Sequence, residues 1–358
     1  MISYRVQQFG APLQRHDEPT PQPQGSQVLL RVQAAGVCHT DIHTWHGWYD
    51  LGGGKRLTMG DRGVTLPLTL GHEIAGEVVA LGPDAQGVHV GQRVLAYPWL
   101  GCGQCKVCRR GQSQLCPTPR FLGIFRAGGY ASHVLVPDAL GLIDIGDLPP
   151  AQAAPYACSG LTTYSAIRKI NPQVLRDEPA VVIGAGGLGL MALSLLRALG
   201  CPGVVVVEPN LVRRQAALDG GALAAVDPQA ADAAAQVKAA TGGPCWAVID
   251  CVGAASTVQL GLDLLVKGGQ LIVVGLFGGE ISLSTPLVPI RAISIQGSYV
   301  GSLAELRDLI ALVRQKAVAP IPTTCCSLHR APLALQDLEA GHVVGRLVLQ
   351  PDVSEPAS

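Results

Sequence analysis

The sequence predicts a two-lobed protein, a β-rich unit followed by an α/β unit built on a doubly wound parallel sheet. Three observations carry that expectation. From Tyr4 to about Val94, short β-rich runs at 28–32, 73–81 and 92–96 alternate with Pro and Gly, the texture of a barrel or sandwich. After about Ser159 the text changes to strands alternating with helices. The 358 residues exceed what one core usually holds, so roughly two domains of about 100–200 residues each are expected.

Composition narrows the class of function. Apolar residues make up 48% and charged residues 15%, against a usual charged share of about 25%, which argues for a packed globular chain. Lys+Arg and Asp+Glu both number 26, so no net field recruits nucleic acid or an anionic membrane, and the expected partner is a small molecule. The opening Met1-Ile2-Ser3-Tyr4-Arg5 lacks the layout of a signal peptide, and every apolar run is broken well short of about 18 residues. A soluble, cytoplasmic protein is expected, in which eleven cysteines serve as metal ligands and reduced thiols rather than a disulfide framework.

In chain order, the β-like run 28–32 leads into Gly36-Val37-Cys38-His39-Thr40-Asp41-Ile42-His43, a thiol, a hydroxyl, a carboxylate and two imidazoles within eight residues. Segment 47–62, with Gly52-Gly53-Gly54, reads as a long mobile loop over a cleft. Gly71-His72-Glu73 follows, and by itself a His-Glu pair carries little. Joined by Cys38 and by Cys158, in Cys158-Ser159-Gly160-Leu161-Thr162-Thr163-Tyr164, it gains weight, because two Cys and one His leave a fourth zinc position open, the pattern of catalysis. Cys102, Cys105, Cys108 and Cys116 form a closed four-thiolate set that braces a lobe around zinc. An iron–sulfur cluster is the rival, although its last gap would be three residues rather than seven. Lys106, Arg109, Arg110 and Arg120 are too few basic companions for a nucleic-acid module.

The second lobe begins with a buried-strand run at 179–183, then Gly184-Ala185-Gly186-Gly187-Leu188-Gly189 and helical text at 190–199. Strand before, helix after and Glu208 closing the run 204–207 make a dinucleotide site, with the pyrophosphate on the helix N-terminus. Glu208 would accept hydrogen bonds from the ribose and repel a 2′-phosphate, which favours NAD over NADP. Arg213 either reaches the same ribose or is a solvated helix residue. Strands at 247–251, 270–274 and 293–296, with helical text at 257–266, complete about six strands. Helical 303–313 and a last β-like run at 345–349 are too short for a domain, so they return to the first lobe, and 351–358 should fray.

With these motifs in place, the chain resembles the medium-chain, zinc-dependent alcohol dehydrogenases over nearly its whole length. Pro98-Trp99-Leu100 and Gly275-Leu276-Phe277-Gly278 look most like the bacterial and archaeal homotetrameric members. The resemblance implies a GroES-like catalytic domain at 1–159 interrupted by a Rossmann NAD-binding domain at 160–297, with 298–358 returning to the first. It implies two zinc ions per chain. Cys38, His72 and Cys158 become ligands of the catalytic one, with Glu73 entering its shell during exchange, and Asp41 orients His72. Thr40 and His43 become a proton relay through the nicotinamide ribose. Cys102, Cys105, Cys108 and Cys116 hold the structural zinc, and Arg346 is a candidate phosphate contact. A homo-oligomer is implied, a tetramer before a dimer. Position 39 is His where some members carry an arginine that reaches the pyrophosphate.

The reading is therefore an NAD-dependent alcohol dehydrogenase that reversibly gives an aldehyde or ketone. A polyol or sugar-alcohol dehydrogenase would use the same ligands, and a non-catalytic, zinc-stabilised NAD-binding protein would keep the glycines and the cysteine lobe. Trp45, Trp48 and Trp99 could line a pocket or simply pack.

Overall fold

The computed structural model describes residues 1–315 and 318–351; the expected frayed tail lies almost wholly outside them. The N-terminal lobe holds a three-stranded sheet, in which Ile2–Val6 pairs with both Gln14–Asp17 and Leu68–Thr69, beside a seven-stranded one. The larger sheet runs Leu142–Asp144, Arg93–Ala96, Glu73–Leu81, Val28–Val37, Arg346–Gln350, Thr323–Ser327, with His133–Val136 also paired to Val28–Val37. Apolar residues at 28–30, 32, 34 and 35 are all buried, and the strand continues into Cys38. It is covered on both faces, which its near-continuous hydrophobic text demands.

The second lobe is a six-stranded parallel sheet in the order Ala224–Val226, Val204–Val207, Ala180–Ile183, Cys245–Asp250, Leu265–Val273, Ser294–Gly297. This is the expected doubly wound sheet, with the order reversing between Ala180–Ile183 and Cys245–Asp250. Ala180–Ile183 and Val204–Val207 are buried at every position, as strands covered by helices on both faces must be. Among the described residues no helix is long and apolar enough to cross a membrane.

One expectation is corrected. Segment 47–62 is a β-hairpin, Trp48–Gly52 paired with Lys55–Thr58, rather than an open loop. Gly52, Gly53 and Gly54 all have positive φ, so the glycines read as mobility instead make the tight turn. The helix after the glycine-rich turn starts at Gly187, not near 190 (Gly187–Ala198), because glycine without a Cβ fits its crowded first turn.

Candidate active site

The strand Val28–Val37 delivers Cys38 to the N-terminus of the helix His39–His46, where the polar cluster is fixed. Asp41 is its organiser. Fully buried, its carboxylate accepts from the Cys38 N–H at 2.9 Å, the Gly71 N–H at 3.2 Å, the Tyr130 hydroxyl at 3.1 Å and His72 Nδ1 at 3.1 Å. Four donors pin the carboxylate, and the last of them orients the imidazole so that Nε2 faces away from Asp41. Gly71 sits at φ +92°, and a Cβ there would lie 2.4 Å from the Tyr130 ring, so only glycine turns the chain into His72 at this point.

Opposite Asp41, His72 Nε2 and Glu73 Oε2 are buried with no hydrogen-bond partner. A buried polar atom left bare costs about 1–3 kcal/mol, so two aimed at one place need an occupant. Ligand atoms of Cys38, His72, Glu73 and Cys158 all lie within 4.8 Å of one another, every residue buried. The Cys38 and Cys158 sulfurs are 3.9 Å apart. Two thiolates at about 2.3 Å from a tetrahedral zinc stand about 3.8 Å apart, so the cage fits that ion. The neighbouring sulfurs share their charge unequally: contact with Cys158 and the nearby Arg346 and His72 hold Cys38 well below the usual thiol range, while the same contact pushes Cys158 up.

Glu73 approaches this closely because residue 36 is glycine: a Cβ there would stand 1.9 Å from Glu73 Oε2. Its other oxygen takes Arg346 Nη2 and the Ser159 N–H at 3.3 Å. Burial, with Cys38 nearby, raises the Glu73 carboxyl to about 7 against the pull of Arg346. Arg346, expected at a phosphate, is itself buried, and its remaining nitrogens donate to Ser159 Oγ at 3.3 Å and Val37 O at 3.4 Å. Its stem borders the glycine-rich turn, since a Cβ on Gly187 would lie 2.7 Å from Arg346 Cδ.

The four lobe cysteines also converge. Cys102 and Cys108 sulfurs are 4.0 Å apart and Cys105 and Cys116 sulfurs 3.9 Å, with all four within 4.8 Å. That spacing again suits tetrahedral zinc. The Cys116 sulfur also accepts from the Cys102 N–H and the Cys105 sulfur from the Cys108 N–H, which favours thiolates.

In the second lobe the turn passes Gly184 at φ +94°, and a Cβ on Gly189 would stand 1.7 Å from Gly184 O, whereas Gly186 faces open space. That combination packs helix against strand and leaves open space over the turn, beside Gly187 and Leu188. Buried Glu208 accepts from the Ala185 N–H at 2.7 Å and the Asn210 N–H at 3.0 Å, so it braces the turn from the strand end. Arg213 donates to Gly341 O at 2.8 Å and Val343 O at 3.3 Å, tying its helix to the loop before the final strand.

Thr40 and His43 stand three positions apart on the His39–His46 helix, hence on one face. The His43 ring packs 4.5 Å from Tyr49. Burial lowers His43 to about 4, so it is neutral near neutral pH. Trp99 is buried 5.3 Å from His72 and donates to Ala157 O at 3.0 Å. Trp45 instead donates to Ala11 O, and Trp48 lies under Arg56. Tyr130 belongs to no sequence motif and reaches Asp41 from a segment remote in the chain, and Ser159, within the Cys158 motif, takes its contacts to Glu73 and Arg346 from equally remote residues.

The chain is similar to known proteins over nearly its whole length. An alcohol dehydrogenase GroES-like domain matches residues 24–147, and a zinc-binding dehydrogenase domain matches residues 187–315. The chain is 37% identical over 353 residues to an NAD-dependent alcohol dehydrogenase of Sulfurisphaera tokodaii, covering 98% of this chain and 100% of that one. It is 32% identical to D-arabinose 1-dehydrogenase (NADP(+)) of Saccharolobus solfataricus, covering 97% and 96%. The alcohol dehydrogenase of Aeropyrum pernix superposes with a TM-score of 0.88 at 30% identity, covering 98% and 100% of the two chains.

Proposed function

The chain belongs to the zinc-dependent medium-chain alcohol dehydrogenases, and from that premise we propose that it oxidises a primary or secondary alcohol with NAD, reversibly, using one catalytic and one structural zinc. The observation that carries this reading is the buried cage of Cys38, His72 and Cys158 with His72 Nε2 and Glu73 Oε2 unpartnered. When bound, zinc acts as a Lewis acid on the substrate oxygen and NAD takes the hydride. The residues do the rest. Asp41 fixes the imidazole, Glu73 offers a spare oxygen beside the cage, and Arg346 neutralises Glu73. Thr40 and neutral His43 carry the proton outward, since an imidazole that is uncharged near pH 7 can accept one. Gly184, Gly186, Gly187, Leu188 and Gly189 cradle the pyrophosphate, with Glu208 toward the ribose; Arg346 borders the same turn, while Arg213 is turned to the Gly341 and Val343 carbonyls.

The test is zinc content per chain together with NAD reduction across short, aromatic, cyclic and polyhydric alcohols, before and after chelation. Two zincs, with turnover lost as the more labile one leaves, is the expected result. One zinc and no turnover on any alcohol overturns it. A preference for polyhydric substrates would favour the sugar-alcohol reading, toward which the arabinose dehydrogenase likeness leans.

Glu208→Ala is expected to weaken NAD binding about 10–100-fold, the worth of hydrogen bonds to a charged group, and to narrow the gap to NADP. An unchanged NAD-to-NADP ratio of kcat/KM would place the acid away from the ribose.

His43 also predicts a pH dependence. Its folded value of about 4 lies below the ordinary 6.5, so between those limits the unfolded chain binds more protons and stability falls as pH drops. Urea unfolding of His43→Gln without cofactor should lose part of that slope between pH 6.5 and 4; an identical slope would contradict the buried neutral ring.

We also propose a cytoplasmic homotetramer. Support for self-association comes from the edge strand Ser294–Gly297, which is exposed throughout, and from the exposed Phe277 and Ile290 that precede it in the chain. A single-chain mass by light scattering would overturn it.

A further inference from the structure

Beside the metal cage the structure holds a chain of aromatic rings that ends on one cation. His72 packs on Trp99 at 5.3 Å, and Trp99 packs on Phe121 at 5.3 Å and on Tyr299 at 6.4 Å. Phe121 packs on Phe125 at 5.7 Å, and on the relay side His43 packs on Tyr49 at 4.5 Å. Both branches meet Arg62. Its guanidinium carbon lies 5.4 Å from the Tyr49 ring and 5.7 Å from the Phe125 ring. Burial pushes the Tyr49 and Tyr299 phenols above the ordinary range, and Arg62 is close enough to both for its charge to oppose the shift.

Arg62 is half-buried and, among the described residues, has no carboxylate within ion-pair distance. Its acidic neighbour Asp61 is turned to the Thr58 hydroxyl at 2.6 Å. Its N–H groups meet neutral partners, the Met59 sulfur, a weak acceptor, at 3.6 Å and the Tyr49 and Tyr299 hydroxyls. Other arginines differ: Arg56 on the same hairpin lies 3.8 Å over Trp48, and Arg346 has Glu73. A guanidinium in an aromatic wall, one ring from His43 and with no carboxylate to neutralise it among the described residues, is arranged to take an anion by two parallel hydrogen bonds.

We propose that Arg62 determines substrate specificity by receiving the carboxylate of a hydroxycarboxylate whose alcohol carbon lies at the Cys38, His72 and Cys158 cage. This rests on the dehydrogenase reading above and names its substrate class. Oxidation breaks one C–H and one O–H bond of that alcohol: the hydride goes to NAD, the proton leaves past His43, and a carbonyl remains. The carboxylate is not consumed and keeps its pairing with Arg62 in both directions. Tyr49, Phe125 and Tyr299 cover the carbon chain between the two ends.

The experiment is steady-state kinetics of the holoenzyme on ω-hydroxycarboxylates of graded length against the n-alkanols of equal length. The wild-type protein should favour the acid at one chain length by about 10–100-fold in kcat/KM, the worth of a charge-assisted pair. Arg62→Met should collapse that ratio mainly by raising KM for the acid, Arg62→Lys should restore part of it, and Arg56→Met should leave it in place. A wild-type ratio near one at every length, or equal shifts in Arg62→Met and Arg56→Met, overturns the proposal while turnover of the alkanols leaves the dehydrogenase reading standing. No turnover of either series would instead remove the dehydrogenase reading itself, and this one with it.

Discussion

Cys38→Ser is expected to abolish NAD reduction while leaving NADH binding within a few-fold of wild type. The sulfur is one of four buried ligand atoms within 4.8 Å, and serine offers a harder, less ionised oxygen in place of a thiol already held low by its neighbours. The Gly184–Gly189 turn lies on another lobe and keeps its geometry, so cofactor binding and turnover should separate. Loss of about one zinc per chain by metal analysis, with NADH fluorescence titration preserved, is the result to look for. Retained alcohol oxidation would refute the assignment of the cage.

Arg346→Met carries the second large effect, and it is on stability. Arg346 and Glu73 are an ion pair with both side chains essentially out of solvent. Removing one partner of such a pair leaves a buried charge and typically costs about 3–5 kcal/mol. Glu73, already raised to about 7, should then take up a proton at neutral pH, which limits the loss. Denaturant unfolding of the two proteins measures the difference, and the double replacement Arg346→Met with Glu73→Gln should recover part of it. A loss below about 1 kcal/mol in the single variant would show that protonation or water relieves Glu73 and that the ion pair adds little net stability.

The two clusters that could hold a metal were legible because metal chemistry constrains residue type as well as spacing. The four lobe cysteines lie within one short segment, and the glycines act through their own backbone, so both sets are visible locally. Cys38, His72 and Cys158 are far apart in sequence, and only the demand for an open zinc position linked them. Residues whose part depends on another segment were silent. Tyr130 matters because its hydroxyl reaches Asp41, and Arg62 because Tyr49 and Phe125 flank it. His46 and His329 likewise take partners remote in the chain, Glu339 at 2.6 Å and the Tyr4 hydroxyl at 2.9 Å. The hairpin was misread for a related reason. Three successive glycines carry no side-chain pattern, and the pairing of Trp48 with Thr58 that orders them is a property of two strands, not of one stretch.

The strand Arg346–Gln350 has a consequence for how the protein is made. It pairs with Val28–Val37, and Arg346 reaches the Val37 carbonyl across 309 residues of chain. At about 5–20 residues per second on the ribosome, the early strand waits roughly 15–60 s for its neighbour. The parallel sheet of the second lobe, contiguous from Ala180 to Gly297, emerges whole in the meantime and is free to fold first. Throughout that interval an apolar strand edge and the Cys38 thiol are uncovered, the kind of exposed surface that chaperones protect. A nascent chain that stops short of Arg346 would lose sheet closure and the partner of Glu73 together.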